Sequence, residues 1–175
     1  MSTKENLAIN GGAKFRTEAW ASRGHFGIEE KEAAMKLFDA SIASGNAFGY
    51  NGDEETAFCQ EFAEFLGGGY VDGVNSGTTS VHVALKALKP APFSEVVVGA
   101  VTDPGGIMPI VIQSCIPVIA DTVPNSYNTG PEQIEAAITP LTSAIVVAHI
   151  GGEPMDIEGI MAVAKKYNLP VVEDC

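Results

Sequence analysis

The sequence predicts an α/β protein, a three-layer sandwich in which a predominantly parallel sheet lies between helices. Three observations support this prediction. Of 175 residues, 46% are apolar and only 18% are charged, which is enough apolar material for a substantial core. The 19 glycines are spread along the chain, as expected for many tight turns. Beyond Tyr70, short apolar runs alternate with helical patterns, which is typical of strands joined by crossover helices.

Residues 1–52 are predicted to form an N-terminal arm and a first helix, and residues 53–175 an α/β domain. Apolar residues recur at helical spacing from Ile28 to Ser44, and Gly45 follows as a C-terminal stop. We therefore expect the first helix to end at this glycine.

A second helix is expected to begin near Asp53, a plausible N-cap, and to end before the glycines at 67–69. Its aromatic face carries Phe58, Phe62 and Phe65. We expect this face to cover a sheet.

The rest of the chain alternates between strand and helix patterns. The predicted strands are residues 70–75, 95–98, 117–121, 144–149 and 170–174. The predicted helices are residues 79–88, residues 131–138 with Pro131 in the first turn, and a last helix capped by Asp156.

Two features disturb this regular pattern. A crossover helix is expected between Thr102 and Gln113, but Pro109 would remove a backbone donor from it. We therefore expect this helix to start late, near Pro109, or to be bent.

The chain also stops one residue after the last predicted strand, and a central strand needs neighbours on both sides. We therefore expect an incomplete domain.

Composition argues against several classes of function. The net charge of −12 would repel the phosphates of nucleic acid. No apolar segment approaches the roughly 20 residues of a membrane-spanning helix, and the N-terminus has no secretory pattern. The three cysteines, Cys59, Cys115 and Cys175, form no CxxC, and no metal-binding motif is present. We expect a cytoplasmic protein without a bound metal, nucleic acid or membrane.

The first candidate site lies at a predicted strand-to-helix junction that contains Gly77, Thr78 and Thr79. Such a junction directs free backbone N–H groups and the positive end of the helix dipole at one point, which suits a phosphate monoester. The alternative is that Ser76 or Thr78 acts only as a helix cap.

The second candidate is Asp174, at the end of an apolar strand. Ligands of parallel sheets bind beyond the carboxyl ends of the strands, so Asp174 is expected at the same edge as Gly77 and His149. A carboxylate there could keep a pyridine nitrogen protonated. The alternative for Asp174 is a carboxylate that only caps a helix or forms an ion pair. The alternative for His149 is a purely structural role.

The order of several motifs resembles the DegT/DnrJ/EryC1/StrS aminotransferases. The motifs are LAINGG at residues 7–12, NSGTTSVHVAL at 75–85, YN at 127–128, IEAAITP at 134–140, HIGGEPMD at 149–156 and LPVVED at 169–174.

The resemblance implies the large domain of a fold-type I enzyme dependent on pyridoxal 5′-phosphate (PLP), here truncated. It also implies a homodimer that transfers an amino group from glutamate or glutamine to a nucleotide-linked keto sugar or a cyclitol. The phosphate cradle of the family falls on Gly77, Thr78 and Thr79, and its pyridine-nitrogen carboxylate falls on Asp174. Asp103 stands where the family usually has an aromatic side chain that stacks on the pyridine ring, and an aspartate offers no π face.

The Schiff-base lysine of the family lies beyond the position of Asp174, so no catalytic residue is assigned in this chain. Its nearest substitutes, Lys86, Lys89, Lys165 and Lys166, are expected to be solvated. We therefore expect the chain alone to be inactive. Two alternatives remain open: a PLP-dependent sugar dehydratase or epimerase, and a non-catalytic module that binds a ligand or supports oligomerisation.

Overall fold

The computed structural model describes residues 7–22, 24–49 and 51–175. The chain forms two compact units, Met1–Gln60 and Glu61–Cys175, and each is described by itself. The helices are α1 (Ile28–Ser44), α2 (Asp53–Phe65), α3 (Gly77–Ala87), α4 (Pro104–Ile112), α5 (Pro131–Ala137) and α6 (Ile157–Tyr167). The strands are β1 (Glu95–Gly99), β2 (Ile116–Ala120), β3 (Thr142–Ala148) and β4 (Val171–Asp174).

Helix α1 has the predicted bounds. It ends at Gly45, whose φ of 71° lies in the left-handed region that glycine adopts most easily. Helix α2 begins at Asp53 as expected, but none of its residues is buried. Phe58, Phe62 and Phe65 are 42–84% exposed, and the last two rings stack on each other at 6.4 Å. The expected burial of this aromatic face is therefore not found.

The sheet has the order β2-β1-β3-β4, and every neighbouring pair is parallel. Helices α3 and α4 cover one face, where Val81, Leu85 and Ile110 pack against alternate residues of the strands. Helices α5 and α6 cover the other face through Ile134 and Ile160. Strand β3 is buried along most of its length, as its apolar sequence predicts. The predicted three-layer α/β sandwich with a parallel sheet is confirmed.

Two local predictions are wrong. Residues 70–75 form no strand, because none of the four strands in the described part of the chain pairs with them and Tyr70 is fully exposed. Of the two forms expected for α4, a late start or a bent helix, the late start near Pro109 is wrong, because the helix starts at Pro104. Its early start follows from the Asp103 cap and from Pro104 at the first position, where proline needs no hydrogen-bond acceptor.

Candidate functional site

The carboxyl ends of β1, β3 and β4 meet at one edge of the sheet because the strands are parallel. At this edge the His149 N–H donates to the Asp174 carbonyl at 3.2 Å, which ties the end of β3 to the end of β4. A depression of about 430 Å³ opens there. Its lining residues are Val101, Thr102, Asp103, Ala148, His149, Ile150, Gly151, Asp174 and Cys175.

The N-terminus of α3 presents two free backbone donors. Ser76 caps the helix: its hydroxyl accepts from the Thr79 N–H at 3.2 Å and lies 2.9 Å from the Thr79 hydroxyl. The N–H groups of Gly77 and Thr78 have no acceptor among the described residues. A Cβ placed on Gly77 would meet nothing within 4 Å. Ser76 therefore caps the start of α3, and the N–H groups of Gly77 and Thr78 remain available beside an open space that fits a phosphate monoester.

Thr78 links this helix start to the edge of the sheet. Its hydroxyl oxygen would lie 2.8 Å from a Cβ placed on Gly105, in the first turn of α4. Helix α4 follows the loop that leaves the carboxyl end of β1, so the start of α3 lies at the edge that carries His149 and Asp174. The structure therefore brings Gly77, His149 and Asp174 to one edge, as the sequence predicts.

Asp174 is partly buried beside another carboxylate. Burial raises the pKa of Asp174 above its ordinary value, and the nearby negative charge of Asp103 raises it further. His149 acts in the opposite direction when its ring is protonated. A positively charged ligand group in the depression would stabilise the ionised form of Asp174.

His149 is held by hydrogen bonds at both ring nitrogens. Its Nδ1 accepts from the Met155 N–H at 3.0 Å, so its Nε2 carries the proton in the neutral ring and donates to Glu173 Oε1 at 2.8 Å. The ring fixes the turn that follows β3 and also lines the depression. His149 therefore has a structural role, because it fixes the turn, and it also lies at the candidate site.

Asn128, which sequence reasoning did not single out, holds the turn that lines the depression. It is 5% exposed, its Nδ2 donates to the Glu153 carbonyl at 2.8 Å, and its Oδ1 accepts from the Ile150 N–H at 3.0 Å. These bonds hold the glycine-rich turn against the depression. The only sequence signal was its place in the YN motif.

From the sequence, Asp103 stands out only as the replacement for an aromatic residue. In the structure its Oδ1 accepts from the N–H groups of Gly105 and Gly106, at 2.6 and 3.2 Å. An aspartate followed by proline is a helix-start signal that the sequence already contained.

The lysines considered as possible Schiff-base residues lie elsewhere. Lys86, Lys89, Lys165 and Lys166 are exposed as expected, and none lines the depression. In the described ranges no three His, Cys, Asp or Glu side chains are grouped as a metal site, and all three cysteines are free. No helix that the structure describes is long and apolar enough to span a membrane.

Comparison with known proteins identifies relatives of this chain in sequence and in fold. The sequence profile of the DegT/DnrJ/EryC1/StrS aminotransferase family matches residues 29–175. A protein of Streptoalloteichus tenebrarius, named as a candidate L-glutamine:3-amino-2,3-dideoxy-scyllo-inosose aminotransferase, is 33% identical over 169 residues. That match covers 97% of this chain and 40% of the relative, so the chain spans less than half of the relative's length.

Solved structures agree with this assignment. An aminotransferase from Psychrobacter cryohalolentis superposes with a TM-score of 0.77 at 34% identity, over 89% of this chain and 38% of that one. NtdA from Bacillus subtilis, solved with bound pyridoxamine phosphate (PMP), superposes with a TM-score of 0.76 at 27% identity, over 85% of this chain and 34% of that one.

Proposed function

Because the chain belongs to the DegT/DnrJ/EryC1/StrS aminotransferase family, whose cofactor is PLP, we propose that the full-length protein is a sugar or aminocyclitol aminotransferase. It takes an amino group from glutamate or glutamine and transfers it to a keto sugar or a keto cyclitol. The observation that carries this proposal is the shared sheet edge, which holds the open helix start at Gly77 and the carboxylate of Asp174.

The start of α3 is proposed to bind the cofactor phosphate. The N–H groups of Gly77 and Thr78 and the Thr78 hydroxyl are available, and the helix dipole favours an anion there. The Thr79 N–H is already engaged by Ser76, so Thr79 contributes chiefly through its hydroxyl, which must turn from the Ser76 hydroxyl to the phosphate.

Asp174 is proposed to meet the pyridine nitrogen. When PLP is bound, it supplies an electron sink that stabilises negative charge on the reacting carbon. The ionised carboxylate of Asp174 keeps the ring nitrogen protonated, and that bond offsets the cost of burying the charge. His149 and Asn128 position the turn beside it.

Two further features belong to the proposal. We propose that the protein is cytoplasmic and forms a homodimer; the exposed apolar side chains on α1 and α2 support the homodimer. We also propose that the 175 residues alone do not catalyse transamination, since none of the four candidate lysines lines the depression. The dehydratase or epimerase alternative predicts PLP binding without amino transfer.

The test is reconstitution of the full-length protein with PLP, followed by addition of glutamate or glutamine. We expect conversion of PLP to PMP, measured by absorbance. Gly77→Ala should weaken PLP binding by roughly tenfold or more, because a Cβ would enter the space left for the phosphate. Gly49→Ala is the control, since its Cβ also meets nothing within 4 Å and lies far from this helix in sequence. Failure to bind PLP would sink the proposal.

A further inference from the structure

Asp103 is held in one orientation by the first turn of α4. Its Oδ1 accepts from both Gly105 and Gly106 N–H groups. A Cβ on Gly105 would lie 2.8 Å from this oxygen, and a Cβ on Gly106 would lie 2.1 Å from the Thr102 hydroxyl oxygen. Gly105 therefore leaves room for the carboxylate of Asp103, and Gly106 leaves room for the side chain of Thr102.

The second oxygen of Asp103 is free for a ligand. No described residue donates a hydrogen bond to its Oδ2, and the side chain is exposed in the depression that also contains Asp174. Neither carboxylate forms an ion pair with a lysine or arginine in the part of the chain that the structure describes.

Two carboxylates thus face one depression without a fixed protein cation. Their mutual repulsion is unfavourable in the ligand-free protein, as the raised pKa of Asp174 indicates. Both ring nitrogens of His149 are already bonded, Nδ1 to the Met155 N–H and Nε2 to Glu173, so this ring forms no direct hydrogen bond to either carboxylate. A cationic ring placed in the depression would be attracted by both carboxylates.

We propose that Asp103 is a cofactor-binding residue that holds the positively charged pyridine ring by electrostatic attraction, where an aromatic side chain would hold it by stacking. The inference rests on the proposed function and deepens it. Asp174 binds the ring nitrogen itself, whereas Asp103 attracts the charge of the protonated ring. The site therefore selects for a protonated ring more strongly than a site with one carboxylate.

The test compares two ligands of the full-length protein by titration calorimetry at neutral pH. One is PMP, and the other is its 1-deaza analogue, whose ring has carbon in place of nitrogen and carries no charge. Asp103→Asn should weaken PMP binding by about three- to fivefold, the range for an exposed charge pair, and leave analogue binding within about twofold. The loss should shrink as salt is added.

Matched controls separate binding from helix capping. Asp103→Asn keeps a side-chain oxygen that can cap α4. Asp156→Asn makes the same substitution at the cap of α6, which lies outside the depression. We expect Asp156→Asn to leave both affinities unchanged. Equal weakening of both ligands by Asp103→Asn, or no weakening of PMP, would overturn the role of Asp103. A wild-type protein that binds neither PMP nor PLP would instead overturn the proposed function.

Discussion

At the scale of single residues, Asp174 is subject to opposite requirements from folding and from ligand binding. Burial and the neighbouring Asp103 raise its pKa above 3.8, so its ionised form is disfavoured in the ligand-free protein. In the proposed function, the same carboxylate is ionised when it binds a protonated ring nitrogen. Under that proposal, the bound cofactor offsets the cost in stability of the buried charge.

We predict that Asp174→Asn makes the ligand-free chain slightly more stable at neutral pH. The raised pKa favours the protonated acid in the folded state, so the wild type loses stability as the pH rises through the folded-state pKa. Well below the ordinary pKa of 3.8 both states are protonated and the difference should vanish. Thermal unfolding of both proteins between pH 3 and 8 measures this. A variant that is less stable than the wild type at pH 7 would contradict the prediction.

The sequence indicates where some residues of the candidate site lie in the fold, but not all of them. Gly77, Thr78, Thr79 and Asp174 could be located because a helix start and a strand end are both recognisable in sequence. Asn128 could not be located, since its partners lie 22 and 25 residues away on a turn whose path depends on β3. Long-range hydrogen bonds of this kind have no local signal.

At the scale of elements, α4 shows how capping overrides a helix-breaking residue. Pro109 lies inside the helix and is buried, yet the Asp103 cap and Pro104 at the first position start the helix five residues earlier than Pro109 suggested. Residues 70–75 show the converse: a pattern typical of a strand remains irregular where the described sheet provides no partner. Strand formation depends on pairing, which local sequence does not specify.

We predict that Gly106→Ala destabilises the chain by about 1–3 kcal/mol, because the new methyl group would collide with the Thr102 side chain at the start of α4. Gly77→Ala is the control: it adds a methyl group to the start of α3, where no atom lies within 4 Å. It should stay within about 0.5 kcal/mol of the wild type. Urea unfolding of both variants measures the difference, and equal stabilities would contradict the collision.

At the scale of the whole molecule, the sheet was predictable because its strands are apolar on both faces. Val96 and Val98 pack towards α3 and α4, whereas Val97 packs towards α5 and α6. A strand that must be buried on both faces requires helices on both sides, which the alternating order of elements supplies. The exposure of α2 could not be predicted in this way, since an amphipathic pattern indicates an apolar face but not what covers it.

The exposed apolar residues of the first unit lead to a prediction about assembly. Ile42 on α1 is 80% exposed, and Met35 and Phe38 on the same helix are about half exposed. Burying such side chains against a second copy would remove apolar surface from water. We therefore expect the chain to self-associate at micromolar concentration. Ile42→Glu should weaken the association by roughly tenfold or more, since burial of an isoleucine contributes about 1.5–3 kcal/mol.

Sedimentation velocity of three proteins tests this expectation: the wild type, Ile42→Glu and Gln60→Glu. Gln60 is exposed on α2, so its substitution adds the same negative charge without removing an apolar side chain. If general repulsion between chains of net charge −12 controlled association, both variants would dissociate equally. If apolar contact controls it, only Ile42→Glu shifts the equilibrium towards monomer. A wild type that sediments as a monomer at micromolar concentration would show that these side chains do not hold two copies together.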